Sequence, residues 1–221
     1  MPTVRSAGPA STEDAIIAAC AAANTLWEDP HFSPPADETW RRPSEIYGTD
    51  ATLFAADSVP PTNICLTPGT TGDGWLVGAL ATLATRHQQL SRLFVSVRGR
   101  QFGVFTLQVF VGEAWVPLTI DDRLPCDAEG VPLHARSGVP GELWPALVEK
   151  AWAKLLGGYA ALRLGYLPNA LRGLSGGVPL SLPLDASRAS ALALQDAGDA
   201  SVALAASPPS VGAVLSWERL R

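Results

Sequence analysis

Three thiols and three imidazoles stand out in this 221-residue chain as groups able to attack a carbonyl or carry a proton near neutral pH: Cys20, Cys65, Cys126, His31, His87 and His134. A thiol becomes a useful nucleophile when a helix N-terminus or a nearby cation lowers its pKa and an imidazole takes its proton. Cys65 sits in an Ile64-Cys65-Leu66 run and reads as a buried, inert thiol. Cys126, in Pro125-Cys126-Asp127, reads as a turn residue without an evident base. The three histidines read as surface or loop residues. Asp121 and Asp122 are adjacent carboxylates that could suggest acid–base work, but Arg123 beside them points to a structural turn with the arginine pairing an acid.

The elements that must position these groups follow from periodicity and punctuation. Ser11-Thr12-Glu13-Asp14 is a helix start, and the Ala-rich stretch to Trp27 is predicted helical. Residues 28–73 carry seven prolines and are predicted mostly irregular, pinned to a core by Phe32, Trp40, Ile46 and Phe54. Asp73 precedes an apolar helix over about 74–85, and 88–94 is predicted as a second helix. Two alternating runs flanking Gly112-Glu113 predict a β-hairpin over 104–120. Residues 121–141 are turn-rich. Leu143, Leu147, Val148, Ala151, Trp152 and Leu155 recur on one helical face over 142–156, and Gly157-Gly158 stops that helix. The tryptophans at 40, 75, 115, 144 and 152 read as core.

Composition sets the broad class. Apolar residues at 47% are enough for a packed core, while 17% charged residues are few for a water-soluble domain. Sixteen Lys and Arg against 21 Asp and Glu leave a net charge of −5, which argues against a nucleic-acid surface. Three cysteines cannot all pair, so a disulfide scaffold is excluded and a reducing, cytoplasmic setting is expected. Residues 1–9 lack the apolar region of a signal peptide. The longest apolar run covers 11 residues, 74–84, too short to span a bilayer.

Six segments, in order, resemble the calpain family of calcium-dependent cysteine proteases. They are Trp27-Glu28-Asp29-Pro30-His31-Phe32; Trp40-Arg41-Arg42-Pro43-Ser44-Glu45-Ile46; Thr62-Asn63-Ile64-Cys65 leading to Gly72-Asp73-Gly74-Trp75-Leu76; Asp121-Asp122-Arg123-Leu124-Pro125; the stretch from Gly141-Glu142-Leu143-Trp144 to Glu149-Lys150-Ala151-Trp152-Ala153-Lys154; and Ser175-Gly176-Gly177. The resemblance implies an α+β, papain-like protease core, of which this chain carries mainly the helical first lobe with a small β-hairpin. On that reading residues 1–26 are a leader and helix, 27–178 the first lobe, and 179–221 an incomplete start of the second lobe or a partly ordered tail.

The same resemblance assigns roles and departures. The family places its nucleophilic cysteine where Gly74 stands, so no side chain is available there to attack a carbonyl. The family's oxyanion glutamine has no counterpart between Cys65 and Asp73. The family's histidine and asparagine fall beyond Arg221, so none of the three histidines takes that role. A degenerate calcium site is implied at Glu142 and Asn63, with carbonyls near Ala56 and Ser58. An amide at position 63, where the family carries an aspartate, removes one formal charge and weakens the expected affinity. The expected function is a proteolytically inactive, calpain-like module that binds a protein partner or substrate polypeptide. The alternative is a piece of an active calcium-dependent endopeptidase whose His and Asn lie outside this chain.

Overall fold

The computed structural model describes residues 13–35, 38–55, 66–69, 72–183 and 213–218. Its elements are α1 (Glu13–Ala23), β1 (Thr39–Arg41), α2 (Pro43–Tyr47), β2 (Leu66–Thr67), α3 (Gly74–Ala84), α4 (His87–Ser91), β3 (Phe94–Ser96), β4 (Val104–Val111), β5 (Ala114–Asp121), β6 (Leu124–Cys126), β7 (Arg136–Ser137), α5 (Trp144–Leu156), α6 (Leu167–Ser175), β8 (Val178–Pro183) and β9 (Ala213–Glu218). The architecture is α+β, with several helices around small antiparallel sheets.

The hairpin forms as its alternation predicts. β4 pairs with β5 from Val104↔Asp121 to Val111↔Ala114, and Gly112 turns the corner at φ +65°. The second predicted helix is shorter than expected. Its helical turn ends at Ser91, and Phe94–Ser96 becomes β3, pairing Phe94 with Leu107 on β4. The edge of β4 offers hydrogen bonds that a second helical turn would forgo. Leu90 and Leu93 stay buried in either case. The first helix likewise stops at Ala23, short of Trp27.

One apolar core joins Leu76, Leu80 and Leu83 of α3, Leu107 and Ile120 of the hairpin, Leu147 and Ala151 of α5, and Leu171 and Leu174 of α6. Phe32, Trp40, Ile46 and Phe54 all pack against it, which pins the loop-rich 28–55 region as predicted. Trp115 departs from its predicted core place. It lies 39% exposed on β5, edge-on to Phe110. Its ring comes up against Phe110 and against Gly176 at the end of α6 and still keeps part of its surface in solvent, so alternation near the hairpin tip does not ensure burial. α5 ends at Gly157 in the left-handed conformation, φ +93°. Gly141 is held at φ +80°, where a Cβ would meet the Asp50 carbonyl oxygen at 2.4 Å, so the close approach of the 50–55 segment to the start of α5 requires glycine.

Candidate active site

The start of α3 is where the resemblance places the chemistry. Gly74 is the first residue of α3 and is exposed to solvent. A Cβ built on it meets no heavy atom of the described residues within 4 Å, so among them the position has room for a side chain that the sequence does not supply. The Asp73 carbonyl accepts from the Leu76 and Val77 N–H groups, at 2.8 and 3.2 Å. The Asp73 side chain makes no capping bond, although Asp at this position usually accepts an N–H of the first turn. It is turned inward instead and is fully buried.

Trp75 anchors the helix sideways. Its indole N–H donates to the Leu162 carbonyl at 2.7 Å, and its ring meets Trp152 edge-on at 5.7 Å.

A charged clamp is built from four of the resembling segments. Asp121, fully buried, accepts from the Asp29 N–H at 2.8 Å, from Arg123 at 2.8 and 3.0 Å, and from Lys150 at 2.5 Å. Burial alone would raise the Asp121 carboxyl. The Lys150 charge and the hydrogen bonds from Arg123 and Asp29 outweigh it and hold the group below its ordinary value. Burial pulls Lys150 itself down to about 8. Lys154 donates to Asp29 and to the Thr119 carbonyl, both at 2.6 Å. Arg42 pairs with Asp122 at 2.6 Å and reaches the Trp27 carbonyl at 2.9 Å. The adjacent carboxylates 121 and 122 are therefore structural, and the arginine pairing read from the sequence is present.

The histidines separate. His31 is exposed, its N–H donating to Asp29. His87 opens α4. His134 lies in a loop, yet it is buried rather than at the surface. Its ring stacks on Tyr159 with centroids 3.7 Å apart and an interplanar angle of 6°. Burial lowers its pKa to about 4, so the ring is neutral at neutral pH. Cys126 is likewise not in a turn. It lies in β6, buried, and burial pushes its thiol up, away from the reactive range. Cys20 is buried on α1. Cys65 lies outside the described residues.

Two carboxyl groups near the start of α3 escaped the sequence reading: Asp73 and Glu149, both fully buried. Burial and then the neighbouring Asp73 raise the Glu149 pKa well above its ordinary value. Helical spacing held no signal for them: Glu149 and Lys150 fall between Val148 and Ala151, off the apolar face of α5, where polar residues are ordinary.

Glu142 sits just before α5. One carboxylate oxygen accepts the Ala55 N–H at 2.9 Å and the other accepts the Ser137 hydroxyl. Its role is thus to fasten the 50–55 segment, rather than to complement the helix dipole. Asn63, Ala56 and Ser58 lie outside the described residues. Among the described residues no group of three or more His, Cys, Asp or Glu is arranged to hold a metal ion.

This α+β arrangement is a papain-like cysteine-protease core, and comparison with known proteins identifies the family. Residues 18–211 match the family described as "Calpain family cysteine protease". The calpain-type cysteine protease DEK1 of Arabidopsis thaliana is 36% identical over 155 residues, covering 68% of this chain and 7% of that protein. Human calpain-14 is 32% identical over 193 residues, covering 80% of the chain and 28% of the relative. The bovine calpain-2 catalytic subunit is 34% identical over 179 residues, covering 72% and 25%. The chain belongs to the calpain family of cysteine proteases. It spans between 7% and 28% of the length of these relatives. No helix among the described residues is long and apolar enough to cross a membrane.

Proposed function

We propose that this chain, acting alone, is a proteolytically inactive calpain-like module of the cytoplasm that binds polypeptide or regulates a competent relative. The observation that carries the reading is Gly74 at the N-terminus of α3, where the family's resemblance calls for a thiol. The departure is chemical rather than steric, because the space that the described residues leave around position 74 would accept a side chain. The other thiols support the same reading: Cys20 and Cys126 are buried, and Cys126 is held protonated by burial. Without a nucleophile, the remaining polar groups have no covalent step to assist. The test is cleavage of casein or a fluorogenic peptide by the purified chain with calcium. No turnover is expected. Turnover abolished by a thiol-blocking reagent overturns the proposal.

The second reading is a piece of a longer, active endopeptidase, favoured by the small share of each relative that the chain covers. A coding sequence that continues in frame past Arg221 with a suitably spaced His and Asn would support it. Gly74 would still need a nucleophile from elsewhere.

Calcium binding is proposed only as weak. Glu142 offers a carboxylate, but both of its oxygens already accept hydrogen bonds within the fold. Asn63 would add an uncharged oxygen, with carbonyls near Ala56 and Ser58. Calorimetric titration of the chain should show weak or no heat with calcium, and any heat should vanish in Glu142→Ala.

A further inference from the structure

Asp73 and Glu149 come from different elements, the N-cap of α3 and the middle of α5, and both are fully buried. Neither oxygen of the Asp73 carboxyl receives a protein donor, nor does one oxygen of Glu149. The other Glu149 oxygen accepts the Ala135 N–H at 2.6 Å. Asp73 acts on Glu149 as a neighbouring charge and as a hydrogen-bonding partner for its protonated form. Two ionised carboxylates in contact inside a protein repel each other and lack solvation, so one of them gains by keeping a proton. That proton also supplies the donor that the orphaned oxygens lack.

Among the described residues the base that faces the pair is His134: its Nδ1 lies 3.6 Å from Glu149 and the Asp73 charge acts on it, yet burial keeps its ring neutral at neutral pH. Tyr159, from the segment after α5, presents a buried hydroxyl and a ring stacked on His134. Asp121 and Glu38 act on Tyr159 only as further negative charges. Lys150, next to Glu149 in sequence, points away to Asp121 and the Arg123 carbonyl. The remaining negative charge of the pair lies at the N-terminal end of α3, where the helix dipole favours it.

We infer that Asp73 and Glu149 share one proton in a carboxylic acid–carboxylate hydrogen bond, a latch that ties the start of α3 to the middle of α5 and opens when the proton is lost at raised pH. The proton comes from solvent on folding and returns to it on opening, with no other group changing charge. The position matters because the latch fixes the residue directly before Gly74.

The sign of the pH dependence follows. The unfolded Glu149 titrates near 4.5, and the folded pair keeps its proton to higher pH. Stability from the latch is complete below that ordinary value. It falls as pH rises, about tenfold in the unfolding constant per pH unit, until the folded pair itself titrates.

Infrared difference spectroscopy of the full chain at neutral pH, wild type minus Glu149→Gln, reads the proton directly. A protonated-carboxyl C=O band that shifts in D2O is expected in the wild type. In parallel, Glu149→Gln replaces the O–H donor by an amide N–H that cannot titrate, so its unfolding midpoint should lack the decline above pH 4.5 that the latch predicts for wild type. Should Glu149→Gln fail to fold, Asp73→Asn serves as the subtrahend, since its amide also donates across the pair. The wild-type band stands without either variant. A spectrum with ionised carboxylate bands only, as two carboxylates bridged by buried water would give, overturns the proposal. So does an unchanged pH profile in the folded amide variant.

Discussion

Gly74 is exposed at the first position of α3, and a Cβ there meets no heavy atom of the described residues within 4 Å. A thiol placed on it would sit among the unpaired N–H groups of a helix start, which favour the thiolate. Gly74→Cys should therefore fold with a stability change below about 1 kcal/mol. Its new thiol should be alkylated by iodoacetamide at neutral pH, while Cys126 in the folded protein is spared. Peptide mass mapping checks both. Labelling of Cys126 ahead of position 74 would mean that the helix start does not activate a thiol. Peptide cleavage should stay absent in this variant, because His134 is buried against Tyr159 with its pKa pulled down to about 4, which makes it a poor base for a thiol.

The helices and the hairpin are held by a few contacts that admit little change. Lys150 on α5 is fully buried against Asp121 at the end of β5, and its ammonium lies 4.4 Å from the centroid of the Trp40 ring. Removing one partner of a buried ion pair leaves the other uncompensated, typically at about 3–5 kcal/mol. Arg123 remains beside Asp121 after Lys150→Met, so a loss of about 3 kcal/mol is expected in urea unfolding. A loss under about 1 kcal/mol would show that Arg123 alone satisfies the carboxylate. On α6, a Cβ at Gly173 would meet the Trp152 ring at 2.5 Å. Gly173→Ala should destabilise by about 1–3 kcal/mol through overpacking, despite alanine's better helix propensity, and the same unfolding measurement decides which effect wins.

For the molecule as a whole, acid sensitivity should trace to the clamp. The folded Asp121 carboxyl titrates below its ordinary 3.8, so its stabilising contribution is present above that value and is lost as pH falls through the lowered folded value. Asp121→Asn should lower stability at neutral pH but flatten the acid limb of a Tm-versus-pH curve. An acid limb as steep as wild type would place the sensitivity elsewhere. The clamp joins segments near residues 29, 121, 150 and 154, so loosening it loosens α5, the hairpin and the 27–31 stretch together.

Local pattern alone was enough for the hairpin, for α3, for α5 and its glycine stop, and for the aromatic pinning of the early loops. These depend on alternation, helical spacing and backbone freedom, all properties of neighbouring residues. The absence of a thiol at Gly74 was equally legible, since it is a matter of residue type. Tertiary structure decided what depends on partners far along the chain. Residues 94–96 became a strand because β4 offered an edge, and Trp115 stayed partly exposed because the end of α6 at Gly176 covers its ring incompletely. His134 and Cys126 were drawn inside, and Glu142 was turned to fasten Ala55 and Ser137. Asp73 and Glu149 lie 76 positions apart, and only packing α3 against α5 brings their carboxyls together in a place that water does not reach.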